Sequence, residues 1–120
     1  MHFLCVDDSA TLRKIVSLSL TEIGHTVDEA ENGKIGLQRM AAQKPACIIL
    51  DINMPEMGGI EMLTEKAKNP ALASIPVIVL TTQDEADTRK TAMGLGANGF
   101  LAKPFNKEQL LATIRQIVGL

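Results

Sequence analysis

Tryptophan and tyrosine are absent, and three phenylalanines are the only aromatic residues in this chain of 120. Its core must therefore be filled by aliphatic side chains, and no aromatic-studded basic stretch offers a stacking platform for single-stranded bases. No basic block occurs either. The net charge is −2, which argues against direct binding of DNA or RNA. No apolar run approaches the roughly 20 residues that span a bilayer, and no signal-peptide pattern precedes Phe3. Cysteine is scarce: Cys5 and Cys47 both lie in apolar runs and lack metal-type spacing. They read as reduced core thiols rather than a disulfide, so a cytoplasmic protein without membrane insertion is expected. The length suits a single domain, taken as 1–120, with one core.

What is present is an alternation of apolar runs and amphipathic stretches. Phe3–Val6, Cys47–Leu50, Val77–Leu80 and Gly99–Leu101 are short and continuously apolar, without in/out alternation. Such runs predict strands covered on both faces, as in a parallel sheet. Thr26–Ala30, interrupted by Asp28, reads as an edge strand. Leu12, Ile15, Val16, Leu20 and Ile23 form one helical stripe that Gly24 ends. A second helix opens at Asn32-Gly33, with Asn32 as N-cap, and carries Leu37, Met40 and Ala41. A third spans Gly59–Lys68 and stops before Asn69-Pro70. A fourth spans Asp84–Leu95 with a thin apolar face of Ala86, Ala92, Met93 and Leu95, and Gly96 ends it. A fifth begins at Asn106 with a capping box through Gln109 and bears Leu110, Leu111, Ile114, Ile117 and Val118. Strand–helix alternation repeated five times predicts an α/β, doubly wound, three-layer sandwich.

Asp7-Asp8, Asp51, Thr81 and Lys103-Pro104 stand at or just after the ends of four of these strands. In open α/β sheets, ligands bind beyond the carboxyl ends of the strands. Two carboxylates about 4 Å apart repel by roughly 4 kcal/mol at an effective dielectric of about 20. A hard divalent cation relieves that repulsion, and Mg²⁺ prefers a few carboxylate or carbonyl oxygens with water and phosphate oxygens. Asp51 is then placed to attack a phosphoryl donor, with Lys103 as a point charge and Thr81 as a hydroxyl donor to the phosphoryl oxygens.

Taken in order, these motifs resemble the receiver domains of two-component response regulators over the whole chain. Asp7-Asp8-Ser9 is similar to the family's acidic pair, and Asp51-Ile52-Asn53-Met54-Pro55 with Met57-Gly58-Gly59 to its phosphorylation loop. Leu80-Thr81 is similar to the switch hydroxyl and Lys103-Pro104-Phe105 to the lysine motif. The resemblance implies a flavodoxin-like, CheY-like fold with strand order 2-1-3-4-5, an order that periodicity does not supply. It implies phosphorylation of Asp51 by a histidine kinase and Mg²⁺ held by Asp8, Asp7 through water, Asp51 and the backbone carbonyl of Asn53. It also implies a cis Lys103-Pro104 bond and a switch made of Thr81 and Phe100, where the family commonly carries Tyr. Thr82 and Asn53 are expected to modulate phosphoryl lifetime, although Thr82 with Glu85 also reads as a capping box. A monomer acting as a switch, not an enzyme, is implied. Its output face would be helix 4, strand 5 and helix 5, and the flagellar motor switch a partner if the chain is a chemotaxis regulator.

Three other functions are compatible with parts of this pattern. A Mg²⁺-dependent aspartyl-phosphate phosphatase usually carries a second acid two residues after the nucleophile, where this chain has Asn53. A flavodoxin-like cofactor binder needs a Ser/Thr/Gly phosphate loop after strand one, where Asp7-Asp8 would repel phosphate. A receiver excised from a DNA-binding regulator keeps the chemistry and changes only its setting. His2 and His25 are expected to be solvent-exposed, with no phosphohistidine role.

Overall fold

The structure, a computed structural model, describes residues 1–52, 54, 57–82 and 86–119. Five strands, β1 (His2–Val6), β2 (Thr26–Ala30), β3 (Cys47–Asp51), β4 (Val77–Thr81) and β5 (Gly99–Ala102), alternate with five helices. The helices are α1 (Ala10–Thr21), α2 (Gly33–Ala42), α3 (Gly59–Lys68), α4 (Ala86–Gly94) and α5 (Lys107–Val118). Every strand pair is parallel and the order is β2-β1-β3-β4-β5. This is the doubly wound sandwich that the apolar runs predict. The runs of β3 and β4 are buried at every residue because helices cover both faces, whereas β2 lies at the edge and stays partly exposed.

Side-chain alternation along the strands divides the core in two. Leu4, Val6, Ile48, Leu50, Val77 and Val79 face α2, α3 and α4. Phe3, Cys5, Ile49, Ile78, Leu80 and Leu101 face α1 and α5. Cys5 and Cys47 are both free and buried on this second side. Burial pushes the Cys47 thiol up to about 12 and the Cys5 thiol higher still, so both are inert.

The caps form where the sequence places them. Asn32 Oδ1 accepts from the Ile35 N–H at 2.9 Å, and Asn106 and Gln109 close a reciprocal capping box. The helix stripes need correction. Ile15 and Ile23 are 45% and 44% exposed, because Val16 and Leu20, with Leu12 at the margin, suffice to meet the sheet and α5. Ala41, Ala86 and Met93 also face solvent. Within α4 only Ala92 is buried, so that helix is held even more lightly than its composition implies. Its expected start at Asp84, and the capping partner Glu85, lie outside the described residues. His2 and His25 are half-buried rather than exposed; the His25 ring meets Phe3 edge-on with centroids 5.4 Å apart.

One glycine fixes how closely α3 approaches the end of β3. A methyl group on Gly59 would lie 2.7 Å from Ile52 Cα and 2.9 Å from the Asp51 carbonyl oxygen. Both are backbone atoms that cannot swing aside. Gly59→Ala is expected to cost about 1–3 kcal/mol in urea unfolding. Gly94→Ala is the control: it adds a methyl with nothing within 4 Å and should be neutral or stabilising by up to about 1 kcal/mol.

Candidate functional site

Parallel register brings the strand-end residues to one edge, where the chain order reverses between β1 and β3. Val6 pairs with Leu50, Asp51 with Leu80 and Thr81 with Ala102. The Lys103 N–H then donates to the Thr81 carbonyl at 2.7 Å. Asp7, Asp51 and Thr81 are buried, Asp8 is exposed and Lys103 is intermediate.

The charges meet at short range. Lys103 Nζ lies 3.0 Å from Asp51 Oδ1 and 3.8 Å from Asp7 Oδ2. Carboxylate oxygens of Asp7, Asp8 and Asp51 come within 4.8 Å of one another. Asp7 Oδ1 accepts from the Ser9 N–H at 2.8 Å, while Oδ2 is fully buried and has no hydrogen-bond partner among the described residues. Burial raises the Asp7 carboxyl to about 6; the Ser9 hydrogen bond opposes this and the Asp51 charge adds to it.

These residues fit a divalent cation. Three hard oxygen donors converge, and one of them is a buried oxygen whose negative charge a single lysine does not satisfy. Asp7, Asp8 and Asp51 would hold it. Asn53, whose carbonyl the family resemblance adds to the set, lies outside the described residues.

The remaining candidates have distinct places. The Thr81 hydroxyl donates to the Thr82 carbonyl at 3.0 Å. Thr82 is half-buried and, with Leu12, Ile15, Lys103, Pro104 and Phe105, lines a cavity of about 510 Å³ beside the acid cluster. Phe100 is partly buried and packs against the core cluster on the α2–α4 side of the sheet. Lys103-Pro104 is cis. Arg13, which no motif in the sequence marks, donates to the Asp7 carbonyl at 2.6 Å.

The pH dependence has a definite sign. The folded chain holds a proton on Asp7 up to about pH 6, whereas an unfolded carboxyl releases it near its ordinary value of about 4. In metal-free protein Asp7 therefore adds stability below the ordinary value. That stability is lost as pH rises through about 6, where the carboxylate becomes a buried charge. A cation competes with this proton. The rise in melting temperature on replacing EDTA by Mg²⁺ should be larger at pH 7.5 than at pH 5; an equal rise at both would remove Asp7 from the site.

A doubly wound sheet with a lysine-bridged carboxylate cluster at its reversal point defines a class of small α/β domains built to meet anionic or cationic ligands at one edge. The particular family follows from comparison: residues 3–115 match the response regulator receiver domain model, and the chain belongs to that family. It is 35% identical over 118 residues to protein PilH of Pseudomonas aeruginosa, covering 98% of each. It is 33% identical to the response regulator MprA of Mycobacterium leprae, covering 98% of this chain and 51% of MprA. Among solved structures, the chemotaxis protein CheY4 of Vibrio cholerae superposes with a TM-score of 0.91 at 34% identity, covering 97% of each chain. The chain thus spans about half the length of several curated relatives it matches and nearly all of PilH. Among the described residues, no helix is long and apolar enough to cross a membrane.

Proposed function

We propose that this receiver domain accepts a phosphoryl group on Asp51 from a histidine kinase and responds by changing which protein it binds. The observation that carries the proposal is the contact of Lys103 Nζ with both Asp51 and Asp7, at 3.0 and 3.8 Å, inside a three-carboxylate cluster. An Asp51 oxygen attacks phosphorus as the phosphorus–nitrogen bond of the phosphohistidine breaks; the imidazole leaves and takes up a proton. The transferring group spreads its charge over three oxygens, so the protein's task is positioning and neutralisation. Lys103 meets one oxygen as a point charge, and Thr81 can turn its hydroxyl from the Thr82 carbonyl to another. Mg²⁺, when bound by Asp7, Asp8 and Asp51, supplies further neutralisation of phosphoryl charge.

The same movement of Thr81 connects the site to the output face. Val79, two residues earlier on β4, pairs with Phe100 of β5, and α4, on the same side of the sheet, is lightly packed. Phosphorylation would shift α4 and β5 between two arrangements by favouring one of them. Phe100 has no hydroxyl, so its part in the switch rests on packing. Thr82, on the wall of the neighbouring cavity, would slow entry of water to Asp51. The domain acts as a signalling switch whose only chemistry is its own phosphorylation and dephosphorylation, in the cytoplasm and as a monomer. Likeness to CheY4 over nearly the full length of both chains favours a chemotaxis role with the flagellar motor switch as target. Acetyl phosphate with Mg²⁺ is expected to add one phosphoryl group per chain by intact mass, and EDTA to prevent it. No gain in mass under these conditions would sink the proposal.

A further inference from the structure

Arg13 lies on α1, one turn beyond the acidic pair, and its guanidinium makes two contacts that phosphoryl acceptance does not use. One terminal nitrogen donates to the Asp7 carbonyl oxygen at 2.6 Å. Nε pairs with Glu29 Oε1 on the edge strand β2 at 3.1 Å, and the side chain is only 16% exposed. The Asp7 backbone is thereby held from both sides, since its N–H donates to the Ala30 carbonyl at 3.0 Å. With Oδ1 fixed by Ser9, the buried Oδ2 has one orientation, toward Lys103.

We infer that Arg13 is a positioning residue for the cation site, locking the peptide between Asp7 and Asp8 against β2 so that both carboxylates are set before a cation arrives. The inference rests on reading the acid cluster as a divalent-cation site. A guanidinium beside the cluster repels an incoming cation, so if Arg13 acted through its field alone, removing it would tighten binding. If it acts by holding the Asp7 carbonyl, removing it loosens the site and weakens binding. Outer-shell partners of metal ligands are typically worth about 10–100-fold in affinity.

Mn²⁺ is the probe, its free form counted by electron paramagnetic resonance. Arg13→Ala should weaken Mn²⁺ binding about tenfold or more, and Arg13→Lys, which keeps a donor of similar reach, should recover part of the loss. Lys103→Ala, which removes a cation that contacts the carboxylates directly, should instead tighten binding. Equal or tighter Mn²⁺ binding by Arg13→Ala overturns the inference. Should circular dichroism show that variant unfolded, Arg13→Met decides: it keeps an apolar stem to pack but removes both the charge and the donor, so a field effect alone would tighten binding. Weaker binding supports the inference and unchanged or tighter binding overturns it. Failure of the unsubstituted protein to bind Mn²⁺ at all would instead remove the cation site itself.

Discussion

Asp51→Asn is expected to reduce phosphoryl incorporation from acetyl phosphate to background while leaving the fold intact. The amide is nearly isosteric, so the buried end of β3 keeps its packing. What it loses is the nucleophile and the charge facing Lys103 Nζ at 3.0 Å. The electrostatic consequence has two parts. Lys103 loses its nearer anionic partner, and Asp7 loses one cause of its raised pKa. Burial is the larger cause, so Asp7 should remain above the ordinary carboxylate value. The variant should therefore fail at phosphorylation yet still show a more stable metal-free form at pH 5 than at pH 7.5. Incorporation persisting at half the normal level or more would mean that another residue accepts the phosphoryl group.

Lys103→Ala should slow phosphorylation by roughly a hundredfold, the usual cost of removing one preorganised donor to developing negative charge. Its effect on stability should be smaller than the roughly 3–5 kcal/mol of breaking a fully buried pair, because the lysine side chain is 29% exposed and water partly replaces it. Lys103→Arg should rescue incompletely. A planar fork cannot reproduce a compact ammonium that faces Asp51 and Asp7 together. Single-turnover rates at saturating acetyl phosphate separate this loss from weakened donor binding. A rate within threefold of the unsubstituted protein would show that Lys103 is structural only.

Much of this was legible in the residues, for reasons that can be named. Continuous apolar runs such as Cys47–Leu50 and Val77–Leu80 require cover on both faces, and the structure provides it. Charged residues at the ends of such runs reach one edge because parallel strands point the same way. Asn32 and Asn106 cap because their side chains satisfy N–H groups that a helix start leaves over. The misses are of another kind. Ile15 and Ile23 have the right spacing for a buried stripe, but spacing does not say how wide a stripe the neighbouring layer can cover. Lys66, which carries no signal in the sequence pattern, is 3% exposed, and its ammonium donates to the Ala73 carbonyl at 3.0 Å. Burial lowers its pKa. Arg13 gave only one hint, a cation one helical turn after two acids; its partner Glu29 comes near through the β1–β2 register. Gly59 looked like a helix opener, and only the approach of α3 to Asp51 reveals it as a clearance.

Asp51 as the acceptor is open to one direct measurement. Protein treated with acetyl phosphate and Mg²⁺ is reduced with borohydride, which converts an aspartyl phosphate to homoserine, and then digested and read by tandem mass spectrometry. Homoserine is expected at position 51, with aspartate retained at positions 7 and 8. Homoserine at position 7 or 8, or none in protein that has gained a phosphoryl group, would contradict Asp51 as the acceptor.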